Sequence, residues 1–310
     1  MNGRDHGGGI DAAIATYGGQ RGSWLDLSTG INPVPFPIAA MPDDAWTALP
    51  DKAAFASLYK NARSFWRIPE QADITAAGGA SAIIAALPRV LRKGIVHIPT
   101  PTYNEHAAAF AAAGWETNDA PGDTLVAVHP NNPDGRTWTE PELSAEVVII
   151  DESFCDVMPD KSLIALAARP GTVVLKSFGK FWGLAGMRLG FAIGDPEITG
   201  RLRDVLGPWQ VSGPALSIGA AALSDQRWAD ATRQRLSQDA ARLDQLMIAK
   251  GAQTIGGTDL FRLFEVEGAA NWQGRLAGHH VWSRCFPYNP RWLRLGLPAP
   301  DRWDQLENAL

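Results

Sequence analysis

The sequence predicts an α/β fold, a mostly parallel central sheet flanked by helices with a small C-terminal α/β domain. Three observations predict it. Short apolar runs rich in Val and Ile recur between helical stretches from about Ser81 to Gly194, the pattern of strands buried on both faces. Beyond Gly194 the texture changes to longer, more charged helical stretches. Across 310 residues, 45% are apolar and 20% charged, enough apolar chain for a sizeable core and too much for a disordered or fibrous protein.

The elements follow in order. The first 40 residues are rich in Gly and Pro and read as an arm with little regular structure. Residues 81–91 have helical composition and spacing, and Gly94 then releases a short strand at 95–98. An Ala-rich helix at 102–113 is stopped by Gly114. Strands are expected at 124–128, 146–150 and 172–175, with helical stretches between the last two, and again at 189–193. Residues 196–206 and 214–223 read as helices, and 225–250 as a long amphipathic one ending at Gly251. Further strands are expected near 261–266 and 292–297. The expected division is an arm at 1–30, a large domain at 31–207 and a small one at 208–310.

Composition narrows the function. Lys and Arg total 28 against 33 Asp and Glu, a net charge of −5, which argues against nucleic acid or an anionic membrane as the main partner. Cys155 and Cys285 are too few for a disulfide framework and suit a reducing cytoplasm. The opening lacks the apolar stretch of a signal peptide, and no apolar run approaches the roughly 18 residues needed to span a bilayer. A cytoplasmic protein is expected, with no metal. The 12 tryptophans are assigned to core or interface.

The segment Ser177 to Gly190 carries the most chemistry. It follows a buried strand and holds one lysine, Lys180, and one arginine, Arg188, in a Gly-rich loop. Desolvation lowers the pKa of a lysine in apolar company, which leaves an amine able to form a Schiff base with an aldehyde. Ser177 and Arg188 supply a hydroxyl and a guanidinium fork suited to phosphate.

This segment resembles the cofactor-lysine signature of fold-type I pyridoxal-phosphate enzymes. Further landmarks stand in the matching order. His129-Pro130-Asn131-Asn132-Pro133-Asp134-Gly135 is similar to the turn whose asparagine, here Asn132, bonds the cofactor's phenolic oxygen. The resemblance implies that Asp151 pairs with the pyridinium nitrogen, keeping it an electron sink, and that Tyr103 stacks on the ring. It also implies that Gly79, Ala80 and Ser81, opening a helix, cradle the cofactor phosphate with backbone N–H groups. Lys180, Asp151 and Tyr103 are thus the expected catalytic residues. One departure is Phe154, where many relatives have tyrosine, so a second hydrogen bond to the phenolic oxygen is missing.

The ends of the chain select a branch. Asp5-His6-Gly7-Gly8-Gly9, Leu25-Asp26-Leu27-Ser28-Thr29-Gly30-Ile31-Asn32-Pro33, Pro208-Trp209 with Val211, and the tail around Arg284 and Arg294 resemble the L-threonine-O-3-phosphate decarboxylases of cobalamin biosynthesis. The stretch 115–128 is short for that family. The resemblance implies decarboxylation of L-threonine O-3-phosphate to (R)-1-amino-2-propanol O-2-phosphate. Arg294 would clamp the substrate carboxylate beside Asn32, with Arg284 and His6 on the substrate phosphate; a homodimer is implied as well. Without it, His6 reads as a tail histidine and the two arginines as solvated strand-edge charges. A histidinol-phosphate aminotransferase-like enzyme is the near alternative, sharing fold, cofactor and a phosphorylated substrate. A non-catalytic pyridoxal-phosphate-binding regulatory domain is the remote one; residues 1–30 are too short and Gly-rich to supply its DNA-binding module.

Overall fold

The structure, a computed structural model, describes residues 6–118 and 120–310. In chain order its regular elements are α1 (Ile10–Tyr17), β1 (Leu25–Asp26), α2 (Lys52–Trp66), β2 (Asp73–Ala77), α3 (Ala80–Val90), β3 (Ile95–His97), α4 (Asn104–Ala112) and β4 (Glu116–Asn118). There follow β5 (Thr124–Val128), β6 (Val147–Asp151), β7 (Thr172–Ser177), β8 (Gly190–Gly194), α5 (Pro196–Leu206), α6 (Gly213–Ser224) and α7 (Gln226–Ala249). The chain closes with β9 (Gln253–Thr258), β10 (Phe261–Glu265), α8 (Ala269–Gly278), β11 (Val281–Trp282), β12 (Arg284–Phe286), β13 (Asn289–Gly296) and α9 (Trp303–Ala309).

The chain forms two compact units. The larger comprises Pro35–Asn132 and Thr137–Asp230. Its seven-stranded sheet runs β2-β8-β7-β6-β5-β3-β4. All neighbours from β7 outward to β4 are parallel, and β8 lies antiparallel to both β7 and β2. The inner strands are largely apolar because helices cover the sheet: Val126, Ile149, Val173 and Leu175 pack with Ile83 and Leu87 of α3, Phe110 of α4 and Leu202 of α5. Three helices start on a side-chain cap. Asp51 caps α2 by accepting from Ala54 N–H, Asp195 caps α5 through Glu197 and Ile198, and Ser212 caps α6 through Ala215.

The smaller unit comprises the N-terminal segment ending at Val34, Pro133–Arg136 and Ala231–Leu310. Its four-stranded antiparallel sheet runs β12-β13-β10-β9. The arm is part of this unit: β1 pairs in parallel with β11, and Gly296 N–H donates to the Leu27 carbonyl. The Pro133–Arg136 turn is held there by glycine. A Cβ on Gly135, whose φ is +75°, would lie 2.1 Å from the Gly257 carbonyl oxygen, so no other residue fits.

Candidate active site

In the larger unit, β6 ends on Asp151, 2% exposed. Its Oδ2 accepts from His106 Nε2 at 2.8 Å, and its Oδ1 accepts from Ser153 N–H at 3.0 Å and Ser153 Oγ at 2.6 Å. Burial alone would raise this carboxyl; the His106 and Ser153 interactions outweigh it and hold Asp151 below the ordinary carboxylate value. The anion is therefore permanent at neutral pH. His106 was not singled out from sequence. It sits on α4 three residues after Tyr103, on the same face, and the two rings meet edge to face at 6.1 Å.

Tyr103 opens α4, and its loop is tied to the asparagine turn. Thr102 Oγ1 donates to Asn131 Oδ1 at 2.6 Å, and Asn131 Nδ2 donates to the Pro101 carbonyl at 3.0 Å. Asn131 is thus the structural member of the pair, with the half-buried Asn132 beside it. His129 anchors the other end: Trp138 N–H donates to its Nδ1, and its Nε2 bonds the Lys161 carbonyl. Burial pushes the His129 imidazole pKa down.

The turn before α3 makes an anion cradle. Gly79, with φ +93°, caps the helix without a side-chain cap hydrogen bond, and the N–H groups of this first turn suit an anion at the positive end of the helix. Arg188 presses onto this turn: a Cβ on Gly79 would lie 2.3 Å from Arg188 Nη2, and one on Gly190 would lie 2.3 Å from Ala80 N. Arg188 Nη2 also donates to Ser81 Oγ at 3.4 Å. Arg188 holds a left-handed φ of 55°, a conformation that costs about 1–3 kcal/mol for a non-glycine residue and clusters at functional sites. Ser177 Oγ accepts from Gly179 N–H at 3.2 Å, shaping the loop that leads to Lys180. A helix N-terminus, a guanidinium and two hydroxyl residues fit a phosphate, and the buried Asp151 anion fits a protonated ring nitrogen. The residues present therefore suit pyridoxal phosphate.

Lys180 is half-buried, with Nζ 5.0 Å from the Phe154 ring centroid, a cation–π contact. The same unit holds a buried ionic network. Lys176 Nζ is 2.6 Å from Glu152 Oε2 and 3.3 Å from Asp156 Oδ1. Asp156 also accepts from the Trp66 and Trp182 indoles at 2.9 and 3.1 Å, and Glu152 from Ser162 Oγ and Leu163 N–H. Burial would lower the Lys176 ammonium, but Glu152 and Asp156 outweigh it and push its pKa up. Trp182 is stacked on Phe178 and on the half-buried Trp228, and Trp66 and Trp182 are buried in the core as expected. His129, Glu152 and Cys155 bring ligand-type atoms within 4.8 Å of one another. The hydrogen bonds just described occupy both His129 nitrogens and both Glu152 oxygens, so the cluster is structural.

In the smaller unit, Arg284 of β12 and Arg294 of β13 are direct cross-strand partners and so lie on one face of the sheet. Like charges directly opposite are destabilising, and an anion between them removes that cost. Each guanidinium rests on an aromatic ring, Arg284 on Phe286 at 5.3 Å and Arg294 on Phe261 at 5.1 Å. Arg294, 3% exposed, also donates to the Ser28 carbonyl. Ser28 in turn accepts from Gly8 N–H at 2.7 Å, while the Trp282 indole donates to the Gly8 carbonyl at 2.9 Å. A Cβ on Gly7 would lie 2.3 Å from the Ser28 carbonyl oxygen, which explains the glycine directly after the exposed His6. Asn32 is buried, and its Oδ1 accepts from Arg235 Nη2 at 2.6 Å and Val34 N–H at 3.0 Å. The structure thus places the cofactor-type residues in the larger unit and His6, Asn32, Arg284 and Arg294 in the smaller.

Comparison with known proteins gives the family and the fold. Residues 117–310 match the family "Aminotransferase class I and II". A threonine-phosphate decarboxylase of Sinorhizobium sp is 40% identical, over 96% of this chain and 93% of that protein. One of Pseudomonas aeruginosa is 38% identical, over 99% and 97%. The histidinol-phosphate aminotransferase of Sinorhizobium meliloti, solved in complex with pyridoxal-5'-phosphate, superposes with a TM-score of 0.84 over 98% of this chain and 94% of that one, at 16% identity.

Proposed function

The chain belongs to the class I and II aminotransferase family and, within it, to the threonine-phosphate decarboxylases, and from that membership we propose that it removes carbon dioxide from L-threonine O-3-phosphate with pyridoxal phosphate as cofactor. The product is (R)-1-amino-2-propanol O-2-phosphate, and the reaction serves cobalamin biosynthesis. The observation that carries the substrate reading is the direct pairing of Arg284 with Arg294, two cations suited to a molecule with both a carboxylate and a phosphate.

When bound, pyridoxal phosphate supplies the electron sink for the pair left at Cα as carbon dioxide departs. Asp151 holds a proton on the pyridine nitrogen, and Tyr103 with Asn132 orients the ring. Gly79, Ala80, Ser81, Ser177 and Arg188 bind the cofactor phosphate. Lys180 anchors the cofactor and then returns a proton to Cα. Arg294 and Asn32 take the carboxylate, and Arg284 and His6 the substrate phosphate. In this reading the enzyme is a cytoplasmic homodimer. Two free cysteines support the compartment, and the exposed Trp46, Leu49 and Trp209 support a covered surface. Among the described residues, no helix is long and apolar enough to cross a membrane.

The test is incubation of the loaded enzyme with O-phospho-L-threonine, following carbon dioxide with and without 2-oxoglutarate. Release independent of 2-oxoglutarate is expected. No release, with conversion of 2-oxoglutarate to glutamate by histidinol phosphate, would assign the aminotransferase reaction instead. A second expectation separates the two arginines. Loss of a charge-assisted phosphate contact in Arg284→Ala should cost about 2–5 kcal/mol with O-phospho-L-threonine and far less with threonine, read as kcat/KM on each. Arg294→Ala should harm both substrates, since both carry the carboxylate. Equal losses in Arg284→Ala would remove Arg284 from the phosphate.

A further inference from the structure

We propose that Arg235 is a positioning residue for the substrate carboxylate, acting by locking the Asn32 side-chain amide in one orientation. The inference rests on the carboxylate role given to Asn32 and Arg294 above. Asn32 Oδ1 takes two donors, Arg235 Nη2 at 2.6 Å and Val34 N–H at 3.0 Å. A flipped amide would set its own N–H donors against a guanidinium and a backbone N–H, with no acceptor between them. The oxygen end therefore stays with Arg235, and the NH2 end is the one presented elsewhere, a donor suited to an anion.

Arg235 is itself aimed. Its Nη1 lies 3.1 Å from Asp239 Oδ2, one turn along α7, and its side chain is only 26% exposed. The guanidinium is shared between Asp239 and Asn32, a planar fork that a point charge does not reproduce. Asn32 also lies four residues beyond Ser28, whose carbonyl holds the Arg294 guanidinium. The two carboxylate donors are tied to one short segment of chain, and Arg235 fixes the Asn32 end of it.

The experiment titrates the cofactor-loaded enzyme with O-phospho-L-threonine and with O-phosphoethanolamine, which lacks the carboxylate. The visible absorbance is read before turnover, so the result does not depend on which bond is later broken. Arg235→Ala should weaken O-phospho-L-threonine about tenfold, the size of one charge-assisted hydrogen bond, and leave O-phosphoethanolamine within about twofold. Arg235→Gln, which keeps a polar helix surface but loses the fork, should show the same ligand-selective loss and covers a failure of the alanine variant to fold. The double variant Arg235→Ala/Asn32→Ala should bind no worse than Asn32→Ala alone, because Arg235 acts through Asn32. Wild-type affinity in both Arg235 variants, equal weakening of both ligands, or additive losses in the double variant would each overturn the inference. If Asn32→Ala has no effect while Arg294→Ala weakens O-phospho-L-threonine selectively, the inference falls and the carboxylate reading stands on Arg294. If Arg294→Ala has none either, the reading itself has failed.

Discussion

Lys180→Ala should still fold and bind pyridoxal phosphate, yet lose turnover of O-phospho-L-threonine by about 10⁴-fold or more, roughly 5.5 kcal/mol of barrier. Borohydride should fix the cofactor to Lys180 in the wild type and to nothing in the variant, as read by mass spectrometry of the peptide. The chain supplies its own control, because Lys176 stands four positions earlier on β7. Lys176 is buried, ion-paired to Glu152 and Asp156, and its pKa is pushed up. It stays an ammonium with no lone pair to offer, so it is no nucleophile. Lys176→Met should keep the label on Lys180 and lose stability instead, since it strands two buried carboxylates. A Lys180→Ala enzyme with full turnover and a fixed cofactor would overturn the assignment.

The contrast between these lysines shows what a sequence exposes. Lys180 was legible because its chemistry is local: the one lysine of a Gly-rich loop after a strand. Asp151 was legible for the same reason, at the end of an apolar run. The buried strands β5 to β8 and helix α5 were legible because apolar residues have nowhere else to go, and the observed limits lie within two residues of the expected ones. α2 and β2 carry only a weak sequence signal. α2 buries only Leu58, Ala62 and Trp66, a sparse stripe, and Asp73-Ile74-Thr75-Ala76-Ala77 has weak strand propensity until β8 pairs with it. His106 carried a signal, its three-residue spacing from Tyr103, that only a helix register makes visible. Arg235 carried none. It is one of several arginines on a charged helix, and its partner Asn32 lies 203 residues away in the chain. Residues that bind a ligand announce themselves by local motif, whereas residues that hold other residues are set by contacts the fold makes later.

Asp151→Asn tests a buried group that other residues hold in place. Asparagine keeps the shape and can still accept from Ser153, but it carries no charge to hold a proton on the pyridine nitrogen. In a dry site that ion pair is strong, so the variant should bind cofactor and lose turnover by several orders of magnitude. A loss under about tenfold, roughly 1.4 kcal/mol, would mean another group does this work. The wild-type pH profile follows from the direction of the shift. Because the folded carboxyl lies below its ordinary value, its charge is present at all pH above that value and is lost only as pH falls through the depressed one. Asp151 should therefore set no limb of kcat/KM near neutrality. His106→Phe removes one of the interactions that lower the pKa while the burial that raises it remains, so the carboxyl must shift upward. The acid limb of the profile should then move to higher pH in His106→Phe and in no variant that leaves Asp151 bonded. An acid limb that stays in place would show that the two Ser153 hydrogen bonds alone keep the carboxylate charged, and His106 would be reduced to supporting Tyr103 on α4.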